Sequence, residues 1–288
     1  MDGNSHKSGI KRLGITVVGV ALVAVIVAYS FWFSEPRWQG RRLSSWLGDM
    51  RPGRPEEQQR QAEAAIQAIG INGIPTLLRL MRAEDSSLKR FIHEMEPNSR
   101  KSRFPRTQFH WAYEDWANAT QGFDILGPAA AAAVPEIVGY LAEDQRGRYA
   151  ALSLAAIGTP ALPALTNVLL QQTTAYSAAL ALTGSGDEGV AVLLTALTHT
   201  NHIVRIGATT ALRFLLSYSA RQMSVTGGRW DRLASRIDQY ESFVVQTAAG
   251  FHAGREKNLI RLTLDQYATN TSPNVAATAR SVRQRLGL

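Results

Sequence analysis

Apolar positions along this chain recur at helical spacing, and three of the stretches are closed by glycine and reopened by proline. Leu43, Trp46, Leu47 and Met50 follow at steps of three, one and three, which predicts a short amphipathic helix before the Pro/Gly/Arg turn at 51–55. From Glu56 to Ile69 the face Ala65, Ile66 and Ile69 predicts another helix. Gly70 ends it, as a residue tolerant of positive φ does, and Pro75 opens the next, where a missing N–H is no loss. The punctuation returns in Ile125-Leu126-Gly127 before Val134-Pro135-Glu136-Ile137 and in Ala156-Ile157-Gly158 before Leu162-Pro163-Ala164-Leu165. Ala181-Leu182 with Gly184 precedes Val190-Ala191-Val192-Leu193, and Ala211-Leu212 closes a fifth stretch. Between Ile69, Leu126, Ile157, Leu182 and Leu212 the steps are 57, 31, 25 and 30 residues. A period near 30 with one step doubled predicts stacked helical hairpins.

The doubled step holds an insertion at about 84–108. Leu88, Phe91, Ile92 and Met95 stand at i, i+3, i+4 and i+7, so 86–96 reads as an amphipathic helix, expected to pack on the first repeats. Pro97 to Arg106 is a polar loop with Arg100, Lys101, Arg103 and Arg106, expected to project from the stack. Phe109, Trp111, Tyr113 and Trp116 lead from it into the helix ending at Leu126. Beyond the fifth unit, Trp230, Leu233, Ile237, Val244 and Ala248 mark a long helix. Leu259, Ile260 and Leu264 mark another, and Val275 to Leu286 closes the chain with Arg280, Arg283 and Arg285. Over 43–288 the pattern predicts paired helices with essentially no sheet.

The fifth unit carries a resemblance. Asn201-His202-Ile203-Val204-Arg205, followed by Ala208, Ala211 and Leu212, resembles the turn, Val-Arg pair and Ala-x-x-Ala-Leu helix of the HEAT-repeat family. Gln39-Gly40-Arg41-Arg42-Leu43-Ser44, with Trp46 and Leu47, is similar to the lead-in of bacterial HEAT proteins with one N-terminal membrane span. The resemblance covers about 43–215 well and 216–288 loosely; Ala191 replaces the usual proline, and Arg213 sits where glycine often follows. It implies an all-α fold, an α-α superhelix of helical hairpins, in which Arg205, like Gly70, Pro75, Gly127, Pro135, Gly158 and Pro163, is structural. It names a fold, and a fold by itself assigns no activity.

Charge and hydropathy add the address. Leu13–Phe33 is 21 residues without a charge, about 31 Å as a helix and close to a bilayer's hydrocarbon thickness. Lys7, Lys11 and Arg12 precede it, and Phe31-Trp32-Phe33 end it with rings suited to the headgroup region. The expected organisation is a basic tail at 1–12, a transmembrane signal anchor at 13–33, a linker at 34–42 and the solenoid at 43–288. A cleaved signal peptide is the rival. Arg37, Arg41 and Arg42 nearly balance the cations before the span, and the short tail places the bulk of the chain outside the cytoplasm. The expected location is therefore the bacterial inner membrane, single-pass. Tyr149–Gly186 is also free of charge, but Gly158, Pro160 and Pro163 interrupt it, so buried central repeats are expected there.

The net charge of +8 is patchy. Residues 1–60 and 89–106 carry +4 each, 201–288 carry +7, and the remainder −7. Cysteine is absent, which removes disulfides, thiolate nucleophiles and Cys-based metal sites. His199 and His202 stand at i, i+3 without the further ligands zinc needs. Glu114-Asp115, between Trp111 and Trp116, is the carboxylate pair in an aromatic setting. Gly184-Ser185-Gly186 lacks the strand and Lys-Ser/Thr of a phosphate loop. No cofactor and no metal are expected. The favoured expectation is a non-enzymatic, membrane-tethered scaffold for an unidentified protein partner. The alternatives are an anionic partner (a lipid headgroup, with nucleic acid disfavoured) at Arg100, Lys101, Arg103, Arg106, Trp111 and Trp116, or a HEAT-like enzyme such as a bilin lyase.

Overall fold

A computed structural model describes residues 35–51, 53–95, 110–221 and 229–288. The chain divides into units of residues 1–36 and 37–288. The expected membrane segment at 13–33 lies outside the described residues.

The second unit is predominantly helical. It opens with a hairpin of β1 (Arg37–Trp38) and β2 (Arg41–Arg42), in the segment expected to be a linker. Gln39 and Gly40 between the strands take φ of 48° and 78°, the left-handed pair that a tight two-residue hairpin turn demands. Trp46 donates its indole N–H to the Trp38 carbonyl at 3.3 Å, and the Arg41 guanidinium lies 3.8 Å from the Trp46 ring centre. The hairpin thus sits on α1 (Leu43–Asp49), whose Leu43, Trp46 and Leu47 are buried as their spacing predicts.

The helices then follow the sequence punctuation. They are α2 (Glu56–Ile69), α3 (Ile74–Met81), α4 (Ser87–Met95), α5 (Ala112–Leu126), α6 (Val134–Gly139), α7 (Asp144–Ile157), α8 (Leu162–Leu169), α9 (Ala175–Leu182), α10 (Gly186–Ala196), α11 (His202–Arg221), α12 (Arg229–His252), α13 (Glu256–Ala268) and α14 (Pro273–Leu286). One joint recurs. Gly70, Gly127 and Gly158 cap α2, α5 and α7 with φ of 58°, 54° and 74° and ψ between −141° and −135°, a region essentially closed to residues bearing a Cβ. After each comes a 3₁₀ segment, then an apolar residue and an exposed proline at the second helical position: Ile74-Pro75, Val134-Pro135, Leu162-Pro163.

Neighbouring helices pack in sequence order in two series. α5 packs on α2, α7 on α5, α9 on α7 and α11 on α9; separately, α6 packs on α3, α8 on α6, α10 on α8 and α14 on α10. From α5 onward the first series is buried all round through the middle of each helix, whereas α2 buries only a stripe. Residues 117–123, 150–155, 178–183 and 206–212 are buried without a break, which accounts for the alanines in the first and last parts of the uncharged run at 149–186: a helix with neighbours on every side needs small side chains for close approach. Between those parts Pro160, Pro163, Asn167 and residues 170–173 are exposed. The second series buries a stripe, such as Ile74, Leu77 and Met81 on α3 or Leu165 and Leu169 on α8.

Glu56–Met81, Ala112–Gly139 and, as a pair bent by 118°, Asp144–Ile157 with Thr159–Leu169 are long and apolar enough to cross a membrane by length and composition. Each run contains one of the three glycine joints, and Ile66, Leu77, Phe123, Ile137 and Leu154 within them are buried inside the unit.

One expectation is corrected by the packing. The helix at 86–96 does not bury its apolar face on the first repeats: Leu88, Phe91 and Ile92 of α4 are exposed. The long helix α12 buries Tyr240 and Thr247, which its apolar spacing did not mark, while Trp230, Leu233 and Ile237 have side chains outside the described set.

Candidate functional site

Trp111 and Trp116 stand at the start of α5, where four segments meet. Asp85, just after α3, accepts the Ala112 backbone N–H at 3.0 Å and pairs with Lys89 of α4 at 2.7 Å. Glu114 accepts the Trp111 backbone N–H at 3.1 Å and pairs with Arg51 at 3.1 Å. Both carboxylates therefore satisfy orphan N–H groups where the helix dipole favours negative charge. Lys89 also donates to the His110 carbonyl and lies 4.7 Å from the Trp111 ring centre. His110 Nε2 and Asp115 Oδ1 are 2.7 Å apart, a pairing of general-base type, and among the described residues no hydroxyl is hydrogen-bonded to that histidine.

Trp116 is tied more deeply. Its indole N–H donates to the Ala83 carbonyl at 2.9 Å, and its ring tilts against Tyr149 with centres 5.9 Å apart. Arg146 lies over Trp116 at 5.5 Å and over Tyr140 at 5.0 Å, and it bridges Glu84 and Glu143 at 3.1 Å each with only 10% of its side chain exposed. Arg82 grips Glu136 with two bonds of 2.7 and 2.6 Å, and the Tyr140 hydroxyl donates to the same carboxylate at 3.1 Å. The Glu136 hydrogen bond raises the Arg82 guanidinium above its ordinary pKa, and burial, with Glu136 second, raises Tyr140. Cations, rings and carboxylates here join α3, α5, α6 and α7.

Arg146→Met is expected to lower stability by about 1–2 kcal/mol, because it removes cation–π and ion-pair contacts but frees two carboxylates that water can reach. Thermal unfolding followed by circular dichroism reads this, and an unchanged midpoint would show the cluster to be passive.

Arg100, Lys101, Arg103 and Arg106 lie outside the described residues, so the structure does not bring them to Trp111 and Trp116. Arg205 bonds within and beyond its own turn: it donates to the His199 and Thr200 carbonyls, 2.7 Å each, and pairs with Glu256 at the start of α13. Among the described residues no group of three or more His, Asp and Glu side chains is placed to hold a metal.

An open cleft of about 480 Å³ lies elsewhere, between α8, α10 and α14. Leu169, Leu170, Ala191, Val192 and Ala196 line it, with Thr166, Thr195, Thr198, Thr278 and His199. The four threonine hydroxyls donate to carbonyls three or four residues back, of Leu162, Ala191, Thr195 and Asn274. That leaves no hydroxyl hydrogen for a ligand and makes the lining more apolar than its composition. His199 Nδ1 accepts the Asn201 N–H at 3.1 Å, so in the neutral ring Nε2 carries the proton. Of the apolar residues of this cleft the sequence marked Ala191 and Val192, at a helix opening; their convergence with α8 and α14 was not legible, because α14 is about eighty positions from α10 in sequence.

The first series of helices is itself covered by α12, which packs on α11 and reaches α5. Tyr240 donates to the Tyr176 carbonyl at 2.9 Å and meets Phe214 edge to face at 5.5 Å. Glu241 pairs with Arg148 at 2.5 Å, and Arg213 donates to Thr247 at 3.0 Å. Gln121 and Asn118, one turn apart on α5 and buried, keep polar atoms without hydrogen-bond partners. In comparisons with protein-family models, curated proteins and solved structures, nothing matches this chain.

Proposed function

We propose that this chain is a membrane-tethered helical-repeat scaffold, a HEAT-like α-solenoid that holds a protein partner rather than catalysing a reaction. The carrying observation is the joint that recurs at Gly70, Gly127 and Gly158, each leading through a 3₁₀ segment into an apolar-Pro helix start, with helices packed in two ordered series on either side of it. Repeated units of this kind bury a continuous core only by stacking, and their long faces serve as contact surfaces. The uncharged run Leu13–Phe33 supplies the tether, with the helical unit on the extracytoplasmic side of the bacterial inner membrane.

Because α12 covers the first series, the surface offered to a partner is the cleft between α8, α10 and α14. Its apolar lining fits an apolar side chain or helix edge, with His199 at the rim to orient a carbonyl or carboxylate. The paired carboxylates around His110 and Arg146 support a structural reading of that cluster over an acid–base one.

A photo-crosslinking residue at Leu170, in intact membranes, tests the reading. One protein is expected to be captured there and lost in the Ala191→Glu variant, while the same probe at Val245 captures nothing. Absence of a protein adduct at Leu170, or release of the chain by carbonate extraction, would overturn the scaffold and the tether respectively.

A further inference from the structure

Helix α4 turns an apolar face to water. Leu88, Phe91 and Ile92 are 67%, 58% and 38% exposed, and their i, i+3, i+4 spacing puts them on one side of the helix. Among the described residues the other exposed large hydrophobics are Trp38, Ile71, Tyr113, Leu170, Val245 and Leu262, and no two of these share an element. Single exposed hydrophobics are ordinary; three on one face of a short helix mark a contact surface.

The helix is fixed along one flank. Lys89 is bonded to Asp85 and to the His110 carbonyl and lies over Trp111, while Arg90 is exposed on the side turned away from the apolar face. Arg51, at the start of the turn after α1, pairs with Glu114, which accepts the Trp111 N–H. The turn after α1 and α4 therefore meet across the first turn of α5. Arg37, where the unit begins, is four residues after Phe33, the last residue of the uncharged run. Lys89 to Arg106 carries a net charge of +4 in sequence.

We propose that Leu88, Phe91 and Ile92 seat in the boundary between headgroups and acyl chains of an anionic phospholipid bilayer, near enough for Arg90 to feel the negative surface potential. This rests on the tethered reading, because the bilayer is the one that residues 13–33 enter. A nine-residue helix buries too little area to hold a membrane alone. Tethering turns its insertion into an intramolecular step at high effective concentration, and anionic lipid adds attraction for the cation. The consequence is a scaffold held at a set angle on the membrane instead of swinging on its tether.

The chain has no cysteine, so single-cysteine variants of the full chain can each carry one environment-sensitive fluorophore. Leu88→Cys, Val23→Cys and Val245→Cys are labelled in separate samples and reconstituted into phosphatidylcholine–phosphatidylglycerol vesicles with nitroxide-bearing lipids. Quenching at 23 reads the tether. Emission at 88 is expected to shift to the blue and to be quenched at least about threefold more than at 245, and less in pure phosphatidylcholine. Adding Phe91→Glu and Ile92→Glu should abolish the quenching at 88 with the helical signal unchanged. Quenching at 23 without quenching at 88 overturns the docking and leaves the tether standing. Blue-shifted but unquenched emission at 88 means that protein covers α4, and also overturns it. No quenching at 23 removes the tether and the docking with it.

Discussion

Gly184→Ala is expected to destabilise the helical unit by about 3 kcal/mol or more, among the largest effects of a single added methyl group. A Cβ built on Gly184 would lie 1.9 Å from the Ala155 carbonyl oxygen and 2.6 Å from its Cα. Those are backbone atoms inside α7, so no rotamer change relieves the clash; the turn between α9 and α10 must move off α7. For a unit of this size the thermal midpoint should fall by roughly 6–12 °C. Two glycines serve as controls. At Gly186, with φ of 60° and open space around its Cβ position, alanine should cost about 1 kcal/mol from left-handed strain. At Gly48, inside α1 with nothing nearby, alanine should be neutral or stabilising by a few tenths of a kcal/mol. Equal midpoints for the Gly184 and Gly48 variants would show that the approach of this turn to α7 is not close.

The second large effect is alkaline unfolding. Burial raises the phenols of Tyr240 and Tyr267 well above the ordinary tyrosine value, and the Tyr176 phenol beside Tyr240 adds to its shift. Each hydroxyl donates to a backbone carbonyl, Tyr240 to Tyr176 and Tyr267 to Leu212, at 2.9 Å. Above about pH 10 the unfolded chain releases these protons while the folded one keeps them, so stability falls as pH rises and is fully retained below pH 10. The slope is about 1.4 kcal/mol per buried tyrosine for each pH unit above 10. Tyr240→Phe with Tyr267→Phe should flatten that limb, at a loss of about 1 kcal/mol per removed hydrogen bond at neutral pH. Phenolate absorbance and helical signal, followed together, should show these two tyrosines ionising only as the helices melt. Ionisation within an intact fold would contradict their burial.

Much of the helical framework was legible in the residues. Leu43, Trp46 and Leu47 on α1, and Ala65, Ile66 and Ile69 on α2, are buried on the faces that their spacing predicts. Gly70, Gly127 and Gly158 end helices at positive φ, as their place after an apolar run requires. Local rules suffice for such features, because a helix face and its cap are decided within one or two turns. The α4 face was legible as a pattern and misread as buried, since amphipathicity states which side is apolar and not what lies against it. The hairpin at 37–42 was missed because two-residue strands carry no period. Little of the candidate site could be read. Arg146 was one cation among many until Trp116, Tyr140, Glu84 and Glu143 closed on it from three other segments.

By itself, then, the sequence determined the helical class, the glycine and proline joints and the uncharged N-terminal run, all of which follow from spacing and backbone freedom over a few residues. The tertiary structure alone decided what each face meets: α12 over the first series, α14 beside α8 and α10, and an apolar side of α4 left open among the described residues. Those choices depend on side-chain shapes and backbone approaches between residues tens of positions apart, and periodicity along the chain carries no record of them.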